Sequence, residues 1–501
     1  MGYTGWHAGV RVCLVLTSAA AAPALTAPAL AQGGPPQFAA APPGVALTPA
    51  ARAPGAGIEV ADVNGDNRAD IVIADIAAGV PVITTLLNLS DDVFSSPITT
   101  TPQLDGADFG EIALALADFN GDRRADLVTT RLARFSPESG VRPNLAILFG
   151  QENGGFAGQV NLVNSWTDTT PRGPGGRSVA IADMNGDLRA DIVSPAGDHA
   201  FSVLRGNGNG TFMPPLQSGW GSGVGAGGIT LLADVTGDAV PDVVSLVNTG
   251  SDAHAQTTVA VNLNDGSGAV HFQTAFTLDV RLTNVRTGQA RAYLTDLNGD
   301  ARADLVVFGE RGDVSGEGGL YVLLAGDNGE FTLTARETRA EDNESTATIA
   351  VAGFTGGRAH ILKVPNASAF GQVWVNDGMG GYANRAGIGF DTMGRVLAGV
   401  GDIGHNRLPD LVTTEVHGGT PRARWRLNLS LLLHLPGCGT SDFNGDGDFG
   451  TDQDIEAFFA CIGGFCCTTC CPCGSDFNGD GDYATDQDIE AFFRILGGGP
   501  C

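Results

Sequence analysis

One nine-residue string constrains this chain more than any other feature. D-x-N-G-D-x-x-x-D occurs as DVNGDNRAD from Asp62 to Asp70, DFNGDRRAD from Asp118 to Asp126, DMNGDLRAD from Asp183 to Asp191 and DLNGDARAD from Asp296 to Asp304. DVTGDAVPD, from Asp234 to Asp242, is a close variant, and DIGHNRLPD, from Asp402 to Asp410, a weaker one. Between the last two loops GFTGGRAHI, Gly353 to Ile361, holds the corresponding place without a carboxylate. Successive starts lie 49 to 65 residues apart, which divides the chain into seven units of roughly 57 residues.

Apolar runs flank each acidic string, which sets it at the tip of a β-hairpin. About 25 to 35 residues further on, units carry a strand-like run, a Gly-rich turn and an aromatic, as in LAILFGQENGGF, FSVLRGNGNGTF and YVLLAGDNGEF. Four short strands per unit match a propeller blade, in which radial repetition protects the sheet edges. The expected fold is all-β, a seven-bladed β-propeller over residues 32–436. The seventh unit stops near Leu435 without its turn and aromatic. The segment Phe38 to Leu47 therefore reads as the outer strand that completes it.

Within each string, positions 1, 3, 5 and 9 offer oxygen side chains and position 7 a backbone carbonyl. Hard Ca²⁺ takes six to eight oxygens, and alternate residues of a coiled loop can converge on one point. The expected ligands are Asp62, Asn64, Asp66 and Asp70; Asp118, Asn120, Asp122 and Asp126; Asp183, Asn185, Asp187 and Asp191; Asp234, Thr236, Asp238 and Asp242; Asp296, Asn298, Asp300 and Asp304. The loop with Asp402, Asn406 and Asp410 has Gly404 at position 3 and makes a poorer set. The sixth unit should hold no metal.

This pattern resembles the FG-GAP (VCBS) repeats that form the blades of integrin-α-type propellers, and the resemblance covers roughly residues 57 to 435. It implies calcium loops on one end of the propeller and ligands, where there are any, on the other. Propellers of this family serve adhesion and carbohydrate binding, and some polysaccharide lyases use them in catalysis.

The two ends of the chain read differently. Arg11, the apolar run Val12 to Ala22 and the small residues Ala29-Leu30-Ala31 fit a cleaved secretory signal over residues 1–31. At the other end, SDFNGDGDFGTDQDIEAFF (441–459) recurs as SDFNGDGDYATDQDIEAFF (475–493), identical at seventeen of nineteen positions. Asp442, Asn444, Asp446 and Asp448, then Asp476, Asn478, Asp480 and Asp482, begin EF-hand-like loops. Gln453 and Gln487 stand at position 12, and Asp454 and Asp488, one residue later, are the expected closing ligands. The duplicated loop and helix is similar to a dockerin, the module that docks exported proteins onto cohesins. Eight of the nine cysteines fall in the last 64 residues, a disulfide framework in an exported chain. A zinc site at the Cys467/Cys470 pair is the alternative. Residues 437–501 thus read as a Cys-rich, calcium-loop, helical tail.

Net charge bounds the partners. At −27 the chain repels polyphosphates, so nucleic acid is a poor partner. The histidines share no motif, and Lys363 is the single lysine, which leaves few bases for catalysis. The sequence therefore points to a secreted or surface-attached recognition or adhesion module, its partner an extracellular protein or glycan. A polysaccharide-active, lyase-like enzyme and a structural envelope component are the alternatives. Trp166, Arg172, Trp220 and the Arg422 to Arg426 stretch are the candidates for a ligand face opposite the metal loops.

Overall fold

The computed structural model describes residues 45–47, 57–77, 80–90, 93–102, 114–130, 145–162, 179–195, 200–219, 229–249, 256–282, 292–311, 318–337, 348–353, 359–364, 370–376, 382–389, 395–404, 408–417, 420–426 and 455. The chain divides into two compact units, Met1–Leu30 with Ala39–Leu427, and Ala31–Phe38 with Asn428–Cys501. Except for Ile455, all the described residues belong to the first. The expected signal segment, the Cys-rich tail with both EF-hand-like loops, and Trp166, Arg172 and Trp220 lie outside the described residues.

The first unit is a propeller of seven antiparallel sheets, each of four main strands. Blade one runs outward through Gly57–Ala61, Asp70–Ala77, Val80–Leu86 and Ile98–Thr100, with a small hairpin of Asn88–Ser90 and Val93–Phe94 beside it. Blade two is Leu114–Ala117, Asp126–Thr130, Leu145–Gly150 and Phe156–Leu162; blade three is Ala180–Ala182, Asp191–Pro195, Ala200–Leu204 and Leu216–Gly219. Blade four is Ile229–Ala233, Asp242–Thr249, Gln256–Asn264 and Val270–Leu278. Blade five uses Ala292–Thr295, Asp304–Arg311, Gly318–Ala325 and Phe331–Glu337, and the short Val280–Arg281 extends its inner edge. Blade six is Thr348–Ala352, His360–Val364, Phe370–Asn376 and Tyr382–Gly389.

Blade seven closes the ring. Arg395–Gly401, Asp410–His417 and Thr420–Arg426 come from the end of the unit, and its outermost strand is Val45–Ala46, paired antiparallel with Val45 opposite Ala423. The N-terminal segment thus takes the place its sequence indicates. Leu47, 2% exposed, packs with Ile58, Ile71, Ile73, Ile403 and Val412 between blades seven and one.

Each blade is covered on both faces, which explains its continuous apolar runs. On Asp70–Ala77, Ile71 and Ile73 point toward blade seven, while Val72 and Ala74 point toward blade two to join Leu116, Leu127 and Leu148. Burying each such aliphatic side chain is worth about 1.5–3 kcal/mol, and the same two-sided packing recurs around the ring. The innermost strands of neighbouring blades pack side by side, and where blade five meets blade six the Tyr293 hydroxyl donates to the Ile349 carbonyl at 3.0 Å. Outermost strands read differently. Val270–Leu278 is mostly exposed along its length, and a register shift against the third strand recurs in blades two, four, five and six. Such bulges twist an edge away from further strand pairing.

Candidate functional site

Five acidic loops connect the first and second strands of blades one to five, and their backbones follow one path. The position-1 carboxylate is the hub. Its Oδ1 accepts the N–H of the position-4 glycine at 2.6–2.8 Å in all five loops. Its Oδ2 accepts the N–H of position 6 at 2.7–3.0 Å. That coil needs two left-handed residues. Position 4 is always glycine, with φ between 74° and 85°, where a side chain would be strained.

Position 6 is the more telling of the two. It has φ between 62° and 69° in Asn67, Arg123, Leu188, Ala239 and Ala301, only one of which is a residue suited to that region. Leu188 is 94% exposed. The loop's hydrogen bonds hold these residues in a conformation their side chains disfavour.

Positions 3 and 5 complete the rim. In the four loops with asparagine at position 3, its Oδ1 accepts the position-5 N–H and its Nδ2 donates to the position-5 carboxylate. Thr236 replaces it in blade four and donates to Asp234 at 3.3 Å. The position-5 Oδ1 accepts the position-7 N–H at 2.9–3.0 Å throughout.

The last carboxylate behaves differently. Asp70, Asp126, Asp191, Asp242 and Asp304 are wholly buried. One oxygen accepts the N–H of position 2, and the other accepts an N–H at or just beyond the end of the third strand, at Asn88, Gly150, Gly206, Asn264 or Ala325. Each is a staple between loop and blade. Close approach is part of it: a Cβ on Gly206 would lie 2.3 Å from the Ala190 carbonyl oxygen, and one on Gly150 would lie 2.6 Å from that of Ala125. Burial pushes Asp70, Asp126 and Asp242 up to about 7, and Asp191 and Asp304 up to about 6, against the pull of their two N–H donors. Away from the loops, burial on the innermost strand of blade one pushes Glu59 up to about 8.

Positions 1, 3 and 5 bring hard oxygens together on each loop beside the buried position-9 carboxylate, chemistry that suits Ca²⁺. Among the described residues no three His, Cys, Asp or Glu side chains converge as a metal-holding cluster. Position 3 is an amide or hydroxyl and the position-9 carboxylate is buried and held by two N–H donors, so each loop carries two further carboxylates, at positions 1 and 5.

Blades six and seven depart from the pattern. The alignment of Gly353 to Ile361 as nine equivalent positions is corrected by the strand register: Ala352 pairs with His360 as Ala61 pairs with Asp70, so the sixth connection is one residue shorter. His360 occupies the staple position, and its Nδ1 accepts the Asn376 N–H at 3.2 Å. An apolar-flanked histidine eight residues after the inner strand is the signal that alignment on the glycines conceals. In blade seven, Asp410 keeps the staple bond to Ile403 N at 2.7 Å but also takes Gly404 N at 2.9 Å. Asn406 lies outside the described residues.

A family model described as FG-GAP-like repeat matches residues 183–245, the third loop through the second strand of blade four. No curated protein matches the chain by sequence. Among solved structures it is similar to a lectin from Agrocybe aegerita that specifically recognises non-reducing terminal N-acetylglucosamine, with 21% identity, 67% of this chain and 80% of that one covered, and a TM-score of 0.47. It is also similar to the Tc holotoxin pore of Photorhabdus luminescens, with 16% identity, 74% and 14% covered, and a TM-score of 0.31. A mutant of NanB sialidase from Streptococcus pneumoniae shares 9% identity, with 59% and 63% covered and a TM-score of 0.36. The chain thus carries an FG-GAP-like repeat in an all-β, seven-bladed propeller.

Proposed function

We propose that this protein is an exported, calcium-stabilised propeller that serves as a recognition or adhesion module. The observation that carries the reading is the fivefold recurrence of one loop geometry. In it, carboxylates at positions 1 and 5 and a neutral oxygen donor at position 3 ride on a coil with a left-handed residue at position 6. These side chains also build the turn, and the reading rests on their bringing the same set of oxygens together in five copies whose intervening residues differ. Calcium held there would be structural: it would neutralise the rim of each hairpin and fix the connections from which the blades hang, leaving recognition to other surfaces. The signal segment 1–31 would route the chain out of the cell. The tail, 437–501, would serve as a calcium- and disulfide-stapled docking or anchoring module, closed by Asp454 and Asp488.

The test is capture on an array of extracellular glycans by the full-length protein, with calcium and with chelator. The reading expects calcium-dependent retention on a defined set of glycans with no release of unsaturated product. Retention insensitive to chelator, or accumulation of unsaturated product, would contradict it.

A further inference from the structure

Position 7 of the loop is arginine in four of the five copies, Arg68, Arg124, Arg189 and Arg302, and Val240 in the fourth loop. The four side chains are not used alike. In blade two the Arg124 Nη2 lies 2.6 Å from Asp122 Oδ2, the position-5 carboxylate of its own loop, while Nε donates to the Gly150 carbonyl at 3.0 Å. In blade five the Arg302 Nη2 lies 2.6 Å from Asp300 Oδ2, Nε donates to the Ala325 carbonyl at 3.2 Å, and Nη1 lies 2.7 Å from Asp327. Arg189 stands 3.7 Å from Asp187, and Arg68 donates to the Leu89 carbonyl.

The two tight pairs share a further construction. The Arg124 stem lies across the preceding loop, its Cγ 3.2 Å from where a Cβ on Gly65 would sit, and Arg302 lies the same way over Gly237 at 3.3 Å. The next residue ties each pair of loops through the backbone: Ala125 N–H donates to the Asp62 carbonyl at 2.9 Å and Ala303 N–H to the Asp234 carbonyl at 2.7 Å. Stem and backbone are pinned, so each guanidinium is presented to its carboxylate already ordered. Arg189 instead packs on Gly208 of its own blade.

Resting on the calcium reading, we propose that Arg124 and Arg302 are built-in cations that compete with the divalent ion for Asp122 and Asp300, making loops two and five the weak members of the set. A cation held 2.6 Å from a carboxylate oxygen satisfies the charge a metal would otherwise neutralise, and a metal must displace it. Loop four has no such competitor, and loops one and three hold theirs loosely or elsewhere. The metal-free hairpins of blades two and five are correspondingly better held than the rest.

Calcium titration of the full-length protein by calorimetry, with chelator-referenced melting, tests this. Wild type should show a tighter and a weaker class of site. R124M/R302M, which keeps most of the stem and removes the charge, should tighten the weaker class by about five- to tenfold and lower the melting temperature in chelator. R124K/R302K, which keeps the charge, should retain the weaker class. Movement of affinity and metal-free stability in opposite directions is the signature of competition. An unchanged isotherm for R124M/R302M in a protein that binds several calcium ions would overturn the proposal and leave the calcium reading standing. Equal tightening in the lysine variant would overturn it too, since stem packing would then be the cause. Absence of calcium binding in wild type would overturn both together.

Discussion

At the scale of single residues, the ninth position of the loop carries the clearest physics. Its five aspartates have pKa values raised from 3.8 to about 6 or 7 by burial. In the unfolded chain they ionise near 4. Between those values the folded, metal-free protein binds more protons than the unfolded one, so its stability falls as pH rises through 6 to 7. In chelator, the melting temperature should be several degrees higher at pH 6 than at pH 8. A flat or reversed profile would show that the N–H donors outweigh burial. His360 gives a separate test. Its Nδ1 accepts a buried N–H, and the leucine variant H360L would leave Asn376 N–H unpaired. A loss of about 1–3 kcal/mol in denaturant unfolding is expected; no loss would mean that the bond is dispensable. Spacing alone could not separate position 9 from positions 1, 3 and 5, because all present side-chain oxygens at odd positions of the same string. Burial and the two N–H donors distinguish it, and both depend on the third strand, distant in sequence.

At the scale of elements, the strands were the legible part. Seven units, the hairpin at each acidic string, the Gly-rich turn before the fourth strand and the aromatic after it are local signals. The structure places them where they read, for instance in the turn closed by Gln151 N–H on the Gly155 carbonyl at 2.9 Å. What was not legible is relational. Asn88 of blade one donates through Nδ2 to the Ile403 carbonyl of blade seven at 3.0 Å, Asn264 of blade four to the Met184 carbonyl of blade three at 2.8 Å, and Asn376 of blade six to the Leu297 carbonyl of blade five at 2.7 Å. Each satisfies the position-2 carbonyl of the preceding loop, yet the asparagines merely end apolar strands in the sequence. Ring closure was readable only because the seventh unit lacks its outer strand. Leu47→Ala should therefore cost about 2–4 kcal/mol in denaturant unfolding, without changing calcium binding at the five acidic loops. An effect below about 0.5 kcal/mol would mean that the short N-terminal strand does not latch the ring.

At the scale of the whole molecule, charge and architecture meet. A chain of net charge −27 gathers three aspartates in each of five hairpin loops, and self-repulsion of that kind disfavours the compact state unless a cation relieves it. Arginine would relieve part of it in blades two and five, and calcium in each of the five loops the rest. A metal bound only by the folded ring adds about 2.7 kcal/mol per site at a hundredfold excess over its dissociation constant. The most direct measurement is the calcium content of the full-length protein by elemental analysis after equilibrium dialysis, paired with a variant carrying D62N, D118N, D183N, D234N and D296N. The expected result is a difference of five calcium ions per chain between the two and a fall in melting temperature on adding chelator that is much larger in wild type than in the variant. One or no calcium lost on substitution would contradict it.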